Sequence, residues 1–155
     1  MSNYSKDEQM LKKVLDAIIN STAGIKHILV IDSDSGITIL SQSKFNVAKD
    51  DVTVDKIGAI GGAVFMAGEE QGQMLGYGAC RVQITEYFDG MVFSAKVGNG
   101  VLILATDQKT QIGFIRALLN RYAAKIGQIL STYLKQDQEG INTELKALFG
   151  ADLSF

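Results

Sequence analysis

The amino-acid sequence predicts an α+β domain: a five-stranded antiparallel sheet with helices on both faces. Three observations carry that expectation. Short β-branched runs are joined by Asp/Gly turn signals, the mark of hairpins and meanders. Two long segments, one between those runs and one after them, keep apolar residues at helical spacing. No proline occurs in the 155 residues, so every turn must rest on Gly, Asn or Asp.

Each element follows in order. Over residues 5–20, Met10, Val14, Leu15, Ile18 and Ile19 form one stripe, and Ser5 with Glu8 reads as a capping box, so an amphipathic helix ends near Gly24. IKHILVIDS (25–33) is β-branched-rich and too short for a buried helix; Asp34-Ser35-Gly36 turns it back into ITILSQS (37–43). KFNVAKDD is a polar loop, and Asp51 to about Leu75 is a glycine-rich helix. In ACRVQITEYF (79–88), Val82, Ile84 and Phe88 alternate with Arg81, Gln83, Thr85 and Tyr87 on the opposite face. Asp89-Gly90 turns into MVFSAKV (91–97), and Gly98-Asn99-Gly100 into VLILATD (101–107). That last run is apolar on both faces and belongs in the middle of the sheet. Residues 110–134 form a helix whose buried face is Ile112, Ile115, Leu119, Tyr122, Ile126, Ile129, Leu130 and Tyr133. Gln136 to Gly140 reads as a polar linker, and Ile141, Leu145, Leu148 and Phe149 as the stripe of a short tethered helix. The order is α-β-β-α-β-β-β-α plus a C-terminal helix, with a domain over 5–134 and a linker and amphipathic tail over 135–155.

Composition narrows the function classes. The chain is 46% apolar and 21% charged, as expected of a single globular domain. A net charge of −2 provides no basic field for nucleic acid or an anionic membrane. One cysteine, Cys80, excludes an internal disulfide and suggests a reducing compartment. MSNYSKDEQMLKK lacks the apolar stretch of a signal peptide, and no run approaches a membrane span, so the expected location is the cytoplasm with no membrane insertion.

Catalytic patterns are missing. KIGAIGGAVFMAGEEQGQMLGYG (56–78) carries seven glycines but is not a phosphate loop, because Lys56 precedes the glycines and a polar loop, not a strand, leads into them. His27 is the only histidine and reads as structural; Glu69-Glu70 and Asp50-Asp51 read as solvated surface, and Asp32 and Asp34 as turn residues. No nucleophile elbow G-x-S-x-G is present. No cofactor, no metal and no catalytic residue is expected.

The glycines then need a packing explanation. Gly58, Ala59, Gly61, Gly62 and Ala63 recur at three- and four-residue steps and line one side of a helix. Such a side admits a very close neighbour. That neighbour is either the domain's own sheet or a second helix across a dimer, and residue physics leaves both open.

The order of elements carries a resemblance. GIKHILVIDSDSGITI, the Gly/Ala-rich second helix, ITEYFDGMVFSAKVGNGVLILATD and TQIGFIRALLNRYAAKI resemble the Roadblock family of dynein light-chain-like proteins over about residues 8–134. The more specific pieces are the aliphatic-Asp…Gly hairpin at 31–37, G-x-G-V-L at 98–102 and the segment from Asp107 to Gly113, which departs from the family spacing by one residue. The tail EGINTELKALFG looks further like the MglB type, the prokaryotic partner of a small Ras-like GTPase. The resemblance implies a homodimer in which third strands and second helices meet, placing Gly58, Gly61, Gly62, Phe65, Arg81, Gln83 and Thr85 at the dimer or partner interface. It also implies a GTPase docked on the second-helix side, with hydrolysis accelerated by repositioning the GTPase's own active site and no arginine finger. Ile141, Leu145, Leu148 and Phe149 are the expected tail anchors on that partner. The alternative is a Roadblock scaffold that assembles a larger complex without changing GTP turnover. A small-ligand sensory domain and a stand-alone enzyme are weaker readings, since no cluster of polar groups converges in the core.

Overall fold

In a computed structural model, which describes residues 3–44 and 51–149, the chain forms three layers. The elements are α1 (Asn3–Ile19), β1 (Ile25–Asp32), β2 (Thr38–Ser43), α2 (Asp51–Met74), β3 (Val82–Tyr87), β4 (Gly90–Val97), β5 (Gly100–Asp107) and α3 (Ile112–Phe149). The five strands make one sheet in the order β2-β1-β5-β4-β3, every pair antiparallel. α1 and α3 pack together on one face, and α2 lies on the other over β1, β2 and β5.

The sheet's centre explains why two strands read apolar throughout. β5 pairs with β1 in the register Ile28↔Leu104, Leu29↔Ile103, Val30↔Leu102 and Ile31↔Val101. Leu29, Ile31, Val101 and Ile103 point to α2, where they meet Val54 and Phe65. Ile28, Val30, Leu102 and Leu104 point the other way, into the larger core with Phe93, Leu15, Ile115, Ile126 and Leu130. A strand covered on both faces has no polar side to alternate.

The turns follow their local chemistry. At the first hairpin Gly36 takes φ +72, its N–H donates to the Asp32 carbonyl, and Asp32 Oδ2 accepts from Ser35 Oγ at 2.7 Å. The chain leaving β5 is organised by Asp107. Its Oδ1 accepts from Thr110 Oγ1 at 2.7 Å, from the Thr110 N–H at 2.9 Å and from the Lys109 N–H at 3.0 Å. The Thr110 hydroxyl is the largest cause holding the Asp107 carboxyl below its ordinary value, helped by the backbone donors and the Lys26 charge against partial desolvation. A carboxyl whose folded value is lowered stabilises the fold above its unfolded value of about 4 and loses that contribution as pH falls through the folded value. Asp107→Ala should therefore lower the melting temperature at pH 7, with the deficit shrinking towards pH 3; thermal melts of both proteins across that range provide the check.

Several expectations are corrected. α1 begins at Asn3, so Ser5 sits in its first turn and not at its cap. Met10 is 45% exposed and Leu11 takes the buried position beside Val14, Leu15, Ile18 and Ile19. The third strand spans Val82–Tyr87, shorter than 79–88, and Phe88 stands fully exposed in the turn. β3 is an edge strand, and α3 covers its neighbour β4 instead. The expected break at Gln136–Gly140 is absent: α3 runs unbroken for 38 residues through the expected tail. Gln, Glu and Lys are good helix formers, and a single Gly140 costs only about 1 kcal/mol. The polar loop read over 44–51 and the chain end at 150–155 lie mostly outside the described residues.

Candidate functional site

α2 covers only part of its face of the sheet. Beside it, over β3 and β4, lies a groove of about 250 Å³ lined by Ile57, Ile60, Gly61 and Val64 of α2, Gln83, Thr85 and Tyr87 of β3, Val92 and Ser94 of β4, and Ile103 of β5. Ile60 is 65% exposed and Val64 51%, and next to the groove β3 forms an open sheet edge. Gln83 ties the two walls together: its Nε2 donates to the Val64 carbonyl at 3.3 Å, and Gly68 lets the amide lie directly against α2. Gln83 Oε1 is buried and accepts no hydrogen bond among the described residues. An apolar groove bordering an edge strand, with a buried acceptor unsatisfied among the described residues in its wall, makes this the candidate interaction surface.

The residues expected at an interface do not act together. A Cβ on Gly58 would stand 2.8 Å from Thr38 Oγ1 and 3.1 Å from Ile31 Cγ2; one on Gly62 would stand 2.7 Å from Ile31 Cδ1. Gly58 and Gly62 are buried, as is Phe65, inside the protomer. Of the two packing readings, these three positions serve the sheet and have no surface left for a partner. Gly61 also approaches the sheet, at Ile103 Cδ1, yet keeps some exposure in the groove. Gln83 and Thr85 line the groove as well, whereas Arg81 lines a separate cleft on the α3 side of the sheet. The groove's principal apolar residues, Ile60, Val64 and Tyr87, were missed. Ile57, Ile60, Val64 and Phe65 share one helical stripe in the sequence, so their spacing did not separate the two that face out from the one that is buried.

The tail anchors form no part of the core. Ile141 is 52% exposed, Leu145 39%, Leu148 76% and Phe149 70%, on a continuous helix that outruns the sheet.

His27 Nδ1 shares a hydrogen bond with Ser43 Oγ at 2.8 Å between β1 and β2, and burial lowers its pKa. Burial, then the Glu69 charge, pushes the Cys80 thiol up, which keeps it protonated and poorly nucleophilic. Among the described residues no group of three or more His, Cys, Asp and Glu could hold a metal, and no helix is long and apolar enough to cross a membrane.

Comparison with known proteins places this geometry. No family model matches the chain. Two proteins of Methanocaldococcus jannaschii, the uncharacterized MJ0714 and MJ1340, are each 32% identical to it. The first match spans 119 residues, 77% of this chain and 95% of the relative; the second spans 108, or 70% and 90%. Among solved structures, MglB in a tetrameric arrangement superposes with TM-score 0.74 at 16% identity, covering 82% of this chain and 92% of that one. The gliding protein MglB of Thermus thermophilus gives 0.71 at 15%, covering 79% and 90%. A Roadblock/LC7 domain of Streptomyces avermitilis gives 0.69 at 12%, covering 77% and 96%. The fold is therefore that of the Roadblock/LC7 domain, with MglB among its structural neighbours. The chain belongs to the family of these two Methanocaldococcus proteins.

Proposed function

We propose that the protein is a homodimeric, non-enzymatic Roadblock regulator of a small Ras-like GTPase. The observation that carries this reading is the apolar groove of α2 beside the unpaired β3 edge. Pairing β3 with β3 of a second copy satisfies both edges, and apposing the two α2 helices covers Ile60 and Val64. A specific association of this kind buries on the order of 1,000 Å² or more. The likeness to MglB supports a GTPase as the further partner. Hydrolytic chemistry belongs to that partner, which this protein activates by repositioning groups already in the GTPase.

Two measurements test the reading. Sedimentation at micromolar concentration should show a dimer of the 16.7 kDa chain and not the monomer alone. Single-turnover GTP hydrolysis by a Ras-like GTPase encoded beside this gene should accelerate when the protein is added. Binding without acceleration would instead favour the scaffold; no binding to any such GTPase would overturn both.

The exposed end of α3 supplies the second contact in this reading. Ile141, Leu145 and Leu148 stand at i, i+4 and i+7, the spacing of a helix laid in a groove. Deleting residues 137–155 should leave the dimer and its melting temperature nearly unchanged, because every described side chain from 140 to 149 is exposed. GTPase affinity should fall. A large drop in melting temperature with unchanged affinity would assign the segment to stability alone.

A further inference from the structure

The chain contains three arginines, Arg81, Arg116 and Arg121. Two of them, Arg81 before β3 and Arg116 on α3, line one cleft of about 630 Å³ on the sheet face opposite α2. Small residues open it: Ala79 and Ala95 on the sheet side, Gly98 in the turn, Ala123 on α3. Asn120 adds an amide, and no Asp or Glu is among the lining residues. Lys96 borders it too, but also borders an opening on the α2 side with Asp34, Glu69 and Glu70, so its charge is shared. Both arginines are exposed, and neither has an ion-pair partner among the described residues. In a protein of net charge −2, the cleft sets two exposed guanidinium groups together with no carboxylate in its lining.

We propose that this cleft is a docking site for an acidic, extended segment of a partner protein, with Arg81 and Arg116 each receiving a carboxylate. Charge complementarity selects the occupant. Guanidinium presents a planar fork that matches a carboxylate in bidentate fashion. The cleft lies between β3 and α3 on the sheet face opposite the apolar groove, so it can be filled while that groove is covered. The site requires neither the dimer nor the GTPase.

Cys80 lines the same cleft beside Arg81 while its half-buried side chain also packs against the α2-side core, and as the only cysteine it serves as a reporter. The test follows alkylation of the full chain by neutral iodoacetamide at pH 9, where the raised thiol reacts measurably. The probe is a capped hexaglutamate peptide, with capped hexaglutamine as the neutral control and inorganic pyrophosphate as the small-anion control. At ten times its Kd the acidic peptide should slow alkylation about tenfold, by mass action. Added salt should relieve the protection by screening. Arg81→Gln and Arg116→Gln should each weaken binding about tenfold, the scale of one charge-assisted contact. Arg121→Gln, off the cleft, should change nothing. Failure of the acidic peptide to protect overturns the proposal. So does protection that survives both cleft substitutions, is lost equally in Arg121→Gln, or is matched by hexaglutamine. Protection by pyrophosphate without protection by the peptide would reassign the site to small anions and overturn it as a protein-docking surface.

Discussion

Replacing Ile60 and Val64 together by Asp is expected to convert the protein from dimer to monomer without unfolding it. Both side chains are more than half exposed in the single chain, so a carboxylate there is solvated and costs the protomer little. In the proposed dimer the same positions are covered. Two Asp from each copy would then lie in an apolar contact with no cation lining the groove. Removing a central contact of that kind typically costs at least about 2 kcal/mol, and unpaired buried charge adds to it. The dissociation constant should rise at least about a hundredfold, since each 1.4 kcal/mol is a factor of ten. Sedimentation equilibrium measures that rise, and a thermal melt of the variant shows whether the monomer stays folded. A folded variant that remains fully dimeric would remove α2 from the interface. It would also redirect attention to the β3 edge alone, where Ile84→Pro would block strand pairing.

Gly98→Val is expected to destabilise the fold by about 3 kcal/mol. Two costs add at this position. The backbone takes φ +62, a conformation that a β-branched residue enters only at about 1–2 kcal/mol. The new Cβ would also stand 3.0 Å from Gly127 Cα and 3.1 Å from the Gly127 carbonyl oxygen, both backbone atoms of α3. Backbone cannot swing aside as the end of a side chain can, so α3 must move off the sheet, at roughly 1–3 kcal/mol. For a domain of this size the melting temperature should fall by roughly 6–12 °C. Gly127→Ala tests the second cost alone. Its Cβ would meet Gly98 N at 3.1 Å from a helix position that accepts alanine readily, so the loss should be smaller. If Gly98→Val melts like the wild type, the β4–β5 turn does not hold α3 at this distance.

Much of the architecture was legible because its signals are local. The hairpin at Asp34–Gly36 needs one residue at positive φ and one acceptor for the turn, and both stand within five residues. The central place of β5 was legible too, since VLILATD has no polar side to show to water. The register of β5 against β1 was not, because any shift by two residues would bury a similar set. The run from 136 to 140 misled for a related reason: Gln, Asp, Glu and Gly in succession are polar without being helix-breaking, and polarity alone does not end a helix.

The site divides along the same line. Residue order by itself determined an α+β sheet protein without a phosphate loop or nucleophile motif, with an unusually small-sided second helix. Spacing along one chain suffices for those properties. Only the tertiary structure decided what the small side touches. Gly58 and Gly62 meet Ile31, and Gly61 meets Ile103, while Ile60 and Val64 are turned out beside an unpaired strand. A helix with apolar residues on more than one side has no preferred face until a sheet is laid against it. Which face goes inward depends on the depth each position must reach, and α2 can sit close over β1 and β5 only where glycine removes the Cβ. The same constraint leaves the larger side chains facing out, and with them the surface on which the proposed function rests.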